Sequence, residues 1–380
     1  MLKKICILSS YYPSEKDPHY AFVGTLIGKI ADLGIECHVI SPVSNMEKKH
    51  RADTRTEITE KGSRIYVYCP RYFQYPSRNL FGFQTYKLTV FSKWNSIWKV
   101  YKKKICSCDA IYSHFIESGV DATWLKKRTR VPAFMAVGES DIISKCLTYK
   151  TFRNLLYDNL NGIISVSTQL KELLNKFDIV DSKIPILVSP NGIDTEIFKK
   201  RDKIECRKAL GINEKDFVIS FVGGFIKRKG FDILQDVLEN HPDWKCILIG
   251  SGDIPIKLKP EQVIFVGRLS HIKIPDYISA SDVFVLPSKS EGCCNAIIEA
   301  MGCGLPIVSS DLTFNYDILN HDNAILIDPN KRYEIEHAIK TIKLDVKTRL
   351  RLETNSFHTG HALSIDNRAK EIIKFMEMNL

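Results

Sequence analysis

Two carboxylates, Glu291 and Glu299, stand with seven residues between them in PSKSEGCCNAIIEAMGCGLP, Pro287 to Pro306. The stretch follows an apolar run, Val283-Phe284-Val285-Leu286, that reads as a buried strand. It turns through Ser288, Ser290 and Gly292 and enters a helical run from Asn295 to Met301. Glu291 then falls just before the helix and Glu299 about one turn inside it. Backbone N–H groups at such a junction, here those of Gly292, Cys293, Cys294 and Asn295, favour anions, and the helix dipole adds to that. Carboxylates beside an anion site are an odd choice if phosphate is the only ligand. They suit a ligand with both phosphates and hydroxyls, which describes a nucleotide sugar.

A second group lies upstream in VGGFIKRKG, Val222 to Gly230. Its glycines allow close backbone approach, and Lys227, Arg228 and Lys229 offer neutralisation to phosphate. A solvated basic turn has the same composition, but this one sits between a strand-like and a helix-like run.

The elements that must hold these groups alternate. In the first half, Lys3 to Ser9 reads as a strand, Phe22 to Leu33 as a helix closed by Gly34, and Glu36 to Ile40 as the next strand. Ala110 to Ser113, Ala133 to Val137 and Gly162 to Val166 are further short strands, and residues 44–63 form a polar loop or an edge strand pair. After a charged helical linker, Lys199 to Ile212, strands are expected at Phe217 to Val222, Trp244 to Ile249, Val263 to Val266, Val283 to Leu286, Ile307 to Ser309 and Ala324 to Ile327. A helix is expected at Phe231 to Leu238 and a final one at Ile365 to Met378. Strands separated by helices imply parallel sheets covered on both faces. A chain of 380 residues is also too long for one ordinary core. The expectation is α/β, two Rossmann-like doubly wound domains facing a cleft, with ligands beyond the carboxyl ends of the strands.

The first stretch resembles the signature of retaining glycosyltransferases of the GT-B fold, family 4 (group 1): Glu, seven residues, Glu, then Ala-x-x-x-Gly-x-Pro. Here these are Glu291, Glu299, Ala300, Gly304 and Pro306. Pro190-Asn191-Gly192-Ile193-Asp194 with Phe198 is similar to the family's P-N-G-[VI]-D…F string at the domain junction. Asp109 to His114 resembles its D-x-[IV]-x-x-H strand end. Lys229-Gly230 matches the family's Lys-Gly, whereas its preceding Arg is replaced by Gly224. Relatives have His-Gly-x-Asp where this chain has Gly138, Glu139, Ser140 and Asp141, so that histidine is lost. In the first loop, Tyr11 to Gly24, Ala21 or Gly24 stands where relatives place a phosphate-facing glycine, and neither fits cleanly. Gly250-Ser251-Gly252 and Gly267-Arg268 fall where the family surrounds the nucleotide base.

The resemblance implies an acceptor-binding domain at 1–195, a nucleotide-sugar domain at 196–362, and a helix at 363–380 crossing back to the first. It implies hexosyl transfer from a UDP- or GDP-sugar to a glycan or lipid-linked acceptor with retention, as in bacterial surface polysaccharide assembly. Glu291 and His114 would be catalytic. Gly224, Arg228, Lys229, Gly292, Cys293, Cys294, Asn295 and Glu299 would bind donor, with Glu299 accepting ribose hydroxyls. Glu139, Ser140 and Asp141 are acceptor or sugar candidates. Protein cations replace a metal, since no Asp-x-Asp pair occurs, and no cofactor is expected. Two alternatives remain: a GT-B-type sugar-nucleotide epimerase, or a degenerate transferase serving as a docking module.

Composition sets outer bounds. Hydrophobic content of 44% and charged content of 26% are those of a soluble globular protein, and no window approaches a membrane span. The cytoplasm is the expected location, so the 11 cysteines are read as reduced thiols. Charge is uneven: residues 1–190 hold 28 Lys+Arg against 17 Asp+Glu. From Lys61 to Cys108 there are ten basic residues, no acid, and twelve aromatics including Tyr72, Phe73, Tyr75, Phe81, Phe83, Trp94 and Trp98. Such a surface can dock on anionic lipid headgroups, with nucleic acid as the less favoured partner and a solvated basic face as the plain alternative.

Overall fold

A computed structural model of the chain describes residues 1–14, 20–47, 54–76, 79–80, 83–139, 143–144, 146 and 150–380. Its contacts divide into two units, Met1–Ser189 with Arg368–Leu380, and Pro190–Asn367.

The first unit is built on strands β1 (Lys4–Ser9), β2 (Glu36–Ile40), β3 (Val43–Ser44), β4 (Thr54–Ile58), β5 (Arg64–Tyr68), β6 (Arg71–Tyr72), β7 (Asn79–Leu80), β8 (Phe83–Gln84), β9 (Ala110–His114), β10 (Ala133–Val137), β11 (Gly162–Ser165) and β12 (Ile186–Val188). The main sheet runs β12-β11-β10-β9-β1-β2-β5-β4 and is parallel except for the β4–β5 hairpin. That hairpin accounts for part of the polar 44–63 segment. Strands buried on both faces must be apolar throughout. Accordingly β1 keeps Ile5, Cys6, Ile7 and Leu8 at most 1% exposed. Helices α1 (Ala21–Asp32), α2 (Tyr86–Val100), α3 (Ile116–Thr129), α4 (Lys150–Leu156) and α5 (Thr168–Lys176) belong to this unit. Helix α1 turns Val23, Leu26, Ile27 and Ile30 inward at helical spacing, and Gly34 follows its end at φ 86°. The order in which strands are added to the sheet reverses between β1 and β9, and the short β3–β6 ladder continues past the carboxyl ends of β2 and β5.

The second unit has strands β13 (Phe217–Val222), β14 (Trp244–Ile249), β15 (Val263–Gly267), β16 (Val283–Leu286), β17 (Ile307–Ser310) and β18 (Ala324–Ile327). They form one parallel sheet, β15-β14-β13-β16-β17-β18, whose order reverses between β13 and β16. Its helices are α6 (Lys203–Ala209), α7 (Phe231–Glu239), α8 (Ile274–Ser279), α9 (Asn295–Gly302), α10 (Arg332–Leu344) and α11 (Val346–Ala362). The charged segment expected to be a linker is instead fastened to this unit. Asp202 caps α6, and Arg207, 5% exposed, reaches Asp282 at 2.7 Å. A buried guanidinium without that carboxylate would be costly, so the charges here are structural.

The last helix, α12 (Ile365–Met378), carries Glu377, which accepts from the Leu2 N–H at 2.8 Å. Phe375 packs edge-on against Phe134, and a side chain at Gly162 would collide with it.

Candidate functional site

In the second unit the loops that leave β13 and β16 are neighbours, because those strands are paired at the reversal point of the sheet. That pairing brings together groups 62 residues apart in the chain. Gly230 makes the approach feasible. Its φ is 67°, and an added Cβ would lie 2.1 Å from the Pro287 carbonyl oxygen. The Lys289 N–H donates to the Arg228 carbonyl at 2.8 Å, and Arg228 Nη1 donates to the Ser290 carbonyl at 2.7 Å. The basic triplet folds as a single tight turn, Lys227–Lys229, that leads into α7.

Lys229 Nζ lies 2.6 Å from Glu291 Oε1, and Arg228 Nη1 lies 3.3 Å from the same oxygen. Glu291 and Lys229 are mostly buried, while Arg228 is 46% exposed. Despite the two cations, Glu291 Oε1 accepts no well-aligned hydrogen bond. Burial alone would lower the Lys229 pKa, but Cys294 and Glu291 outweigh it and raise it. Lys229 is therefore a firmly protonated ammonium in a partly dry site, the state phosphate recognition requires.

Glu299 sits in α9, 8% exposed. Its Oε1 is 2.8 Å from His271 Nε2, and the His271 ring stands edge-on to Phe198 at 4.8 Å. The hydrogen bond to Glu299 raises the His271 pKa against the opposing effect of burial. His271 is a residue the sequence reading missed. It precedes Glu299 by 28 residues in a short turn, and no motif marks it.

Asn191 braces the start of α9. Its Nδ2 donates to Asn295 Oδ1 at 2.8 Å, and its N–H approaches Cys293 Sγ at 3.4 Å. The Asn-Gly turn therefore supports the loop that carries Gly292, Cys293 and Cys294. Gly224 is spacious: an added Cβ would meet nothing nearer than 3.6 Å. Beside it the Phe225 N–H donates to the Ser251 carbonyl at 3.0 Å, and Arg268 Nε donates to Ser251 Oγ at 2.8 Å.

In the first unit His114 ends β9, as its strand-end motif implied, yet it is 4% exposed among Tyr112, Phe22 and Phe115. Burial pushes its pKa down to about 3, so it stays neutral across the physiological range. Its Nδ1 lies 3.3 Å from the Tyr112 hydroxyl. Glu139 accepts from the Ile116 N–H at 2.7 Å and the Gly138 N–H at 3.1 Å, placing a carboxylate on the first turn of α3. A Cβ at Gly138 would come within 3.1 Å of Val166. Ser140 and Asp141 lie outside the described residues. Among the described residues no group of three His, Cys, Asp or Glu could hold a metal, and no helix is long and apolar enough to cross a membrane.

Two Rossmann-like α/β units with these topologies define the GT-B class. Residues 202–359, which include Lys229, Glu291 and Glu299, match the family model described as "Glycosyl transferases group 1". The chain is 27% identical over 355 residues, 88% of its length and 88% of the relative's, to TuaC of Bacillus subtilis (strain 168), described as a teichuronic acid biosynthesis glycosyltransferase. It is 28% identical over 261 residues, 62% of this chain and 66% of the relative, to the Escherichia coli UDP-Gal:alpha-D-GlcNAc-diphosphoundecaprenol alpha-1,3-galactosyltransferase. Sucrose-phosphate synthase from Thermosynechococcus elongatus superposes with a TM-score of 0.79 at 18% identity, covering 99% of this chain and 98% of that one. Anabaena Alr3699/HepE in complex with UDP and glucose gives 0.73 at 20%, covering 99% and 100%. These structural likenesses establish the fold, and the sequence matches support a glycosyltransferase.

Proposed function

We propose that the protein transfers a hexosyl unit from a UDP- or GDP-sugar to a glycan or lipid-linked acceptor, with retention at the anomeric carbon, as family 4 enzymes do. The observation that carries this reading is the convergence of Lys229, Arg228 and Glu291 at the β13 and β16 loop ends, with Glu299 on the adjoining helix.

In this reading the nucleoside diphosphate leaves with growing negative charge on its oxygens. Lys229, Arg228 and the N–H groups of Gly292, Cys293, Cys294 and Asn295 stabilise that charge in advance. Gly224 lets the diphosphate approach the backbone closely. The cations exchange Glu291 for phosphate, which frees Glu291 to take sugar hydroxyls and stabilise an oxocarbenium-like transition state. Glu299 accepts ribose hydroxyls. His114, neutral, can only donate or accept a hydrogen bond to the sugar, and Glu139 acts through the α3 terminus. Metal independence is part of this reading: Lys229 and Arg228, once released from Glu291, would supply the positive charge at the diphosphate.

The relatives' named reactions favour surface polysaccharide or lipid-linked acceptors, and so a cytoplasmic protein working at the inner membrane face. The exposed side of α2 and the following turn fits that role, with Leu88 and Phe91 exposed beside Lys87, Lys99 and Lys102 to Lys104.

The test is a panel of UDP- and GDP-hexoses, with and without EDTA, scored for donor hydrolysis. Release of nucleoside diphosphate from one donor, unaffected by EDTA, is the expected outcome. No release from any donor would refute the transferase, and release abolished by EDTA would refute metal independence.

A further inference from the structure

The aromatic and basic stretch 61–108 does something its composition does not announce. In the first unit it supplies most of the wall of a cavity of about 600 Å³, between β6 with its following loop, α2 and the first turns of α3. Three tyrosines, Tyr72, Tyr75 and Tyr86, and three charged residues, Lys93, Glu117 and Asp121, are among its lining. The size is that of a small-molecule site. It lies past the carboxyl ends of β2, β5 and β9, the end of a parallel sheet at which ligands bind.

The cavity is built rather than incidental. The Tyr75 N–H donates to Thr89 Oγ1 at 2.9 Å, and the Phe73 N–H donates to Ser92 Oγ at 2.9 Å. The Gln74 N–H donates to Asn45 Oδ1 at 2.8 Å, and the Gln74 side chain accepts from Ser44 Oγ at 2.6 Å. Backbone donors of the 73–75 loop are thereby fastened to α2 and to the end of β3, so the tyrosines are held before any ligand arrives.

The charges decide the ligand. Asp121 is 5% exposed and both its oxygens are engaged, one by Lys93 Nζ at 2.7 Å and the other by Trp94 Nε1 at 2.9 Å. Lys93 is thus neutralised inside the wall, yet an ammonium with one ion-pair partner keeps N–H donors to spare. Glu117 is exposed at the rim with no ion-pair partner among the described residues. Among the described residues of the lining, one positive and two negative charges sum to −1, in a half of the chain that carries an excess of Lys and Arg. A phosphate or anionic lipid headgroup would be repelled here. Flat aromatic faces with separate donors and acceptors match an uncharged ring bearing many hydroxyls.

We infer that this cavity binds a neutral sugar ring of the acceptor glycan, with Tyr75 and Tyr72 as stacking faces and Glu117, Lys93 and Gln74 as hydroxyl partners. The inference rests on the transferase reading for the word acceptor, but the binding itself does not.

The experiment is saturation-transfer NMR on the whole protein with methyl glycopyranosides of glucose, galactose, mannose and N-acetylglucosamine. UDP affinity and circular dichroism are recorded alongside. At least one glycoside should bind, and Tyr75→Ala and Glu117→Gln should each weaken it at least about tenfold while UDP affinity and fold are unchanged. Inorganic pyrophosphate should not displace it. No binding across the panel, full binding by Tyr75→Ala, or displacement by pyrophosphate would each overturn the inference. Glycoside binding without donor hydrolysis would sink the transferase reading and leave the pocket standing. Hydrolysis without glycoside binding would do the reverse.

Discussion

Lys229 Nζ and Glu291 Oε1 are 2.6 Å apart, so the cation proposed for the donor diphosphate is already paired with the carboxylate proposed for the donor sugar. Ligand must compete for that pair. Lys229→Ala removes a charge-assisted contact to phosphate and should weaken UDP binding by about 1.5–3 kcal/mol, roughly ten- to a hundredfold. Glu291→Gln removes the competitor, so UDP affinity should hold within about threefold while turnover falls about a hundredfold or more. Calorimetry with UDP and single-turnover assays read both. Unchanged UDP affinity in Lys229→Ala would move the phosphate site elsewhere.

Two glycines of the same loop should respond oppositely. At Gly230 an added Cβ meets the Pro287 carbonyl at 2.1 Å with φ at 67°, and neither the backbone nor the angle can yield cheaply. Gly230→Ala should destabilise the protein by about 2 kcal/mol or more in urea denaturation. At Gly224 the nearest atom to a new Cβ is 3.6 Å away. Gly224→Arg should therefore fold normally and, by adding a cation at the loop proposed to meet the diphosphate, tighten UDP binding by roughly tenfold. Weaker binding in a well-folded Gly224→Arg would show that the diphosphate does not pass this loop.

His271 and Glu299 supply a pH signature. The folded pKa of His271 lies above its usual 6.5, so the pair stabilises the fold fully below about 6.5 and loses that contribution as pH rises through the folded value. Because His271 is 57% exposed, the effect should be small. The melting temperature of wild type minus that of His271→Ala should be about one or two degrees at pH 5.5 and shrink toward zero by about pH 8.5. A difference that grew with pH would reverse the assigned sign.

The carboxylate spacing and its strand–turn–helix setting could be read directly, because they depend on a run of only 20 residues from Pro287 to Pro306. That Lys229 meets Glu291 could not. It follows from β13 pairing with β14 on one side and with the distant β16 on the other, a choice made by the whole sheet. His271 was silent for a related reason: a one-turn element has no period. Gly224 and Gly138 were visible as departures, but their opposite surroundings, open at one and crowded by Val166 at the other, belong to packing. The basic stretch was legible as composition but not as geometry. Its composition suggested one surface, whereas α2 splits it three ways: Leu88 and Phe91 outward, Trp94 and Ile97 inward, and Tyr86 and Lys93 into the cavity.

That division yields a prediction for the membrane. Phe91 is 67% exposed and Leu88 39% exposed on the outward face of α2, next to Lys87. An aromatic wedge of this kind contributes about 1.5–3 kcal/mol when buried in an interface, and neighbouring lysines add a salt-sensitive attraction to anionic lipid. Phe91→Asp should cut partition onto vesicles containing phosphatidylglycerol by roughly tenfold or more, with α2 intact by circular dichroism. Vesicles of phosphatidylcholine alone should bind weakly, and raised salt should weaken the anionic binding further. The cavity lies on another face of the same helix, so glycoside binding should survive Phe91→Asp. Vesicle binding that is indifferent to Phe91→Asp and to salt would mean that this face of α2 is merely solvated.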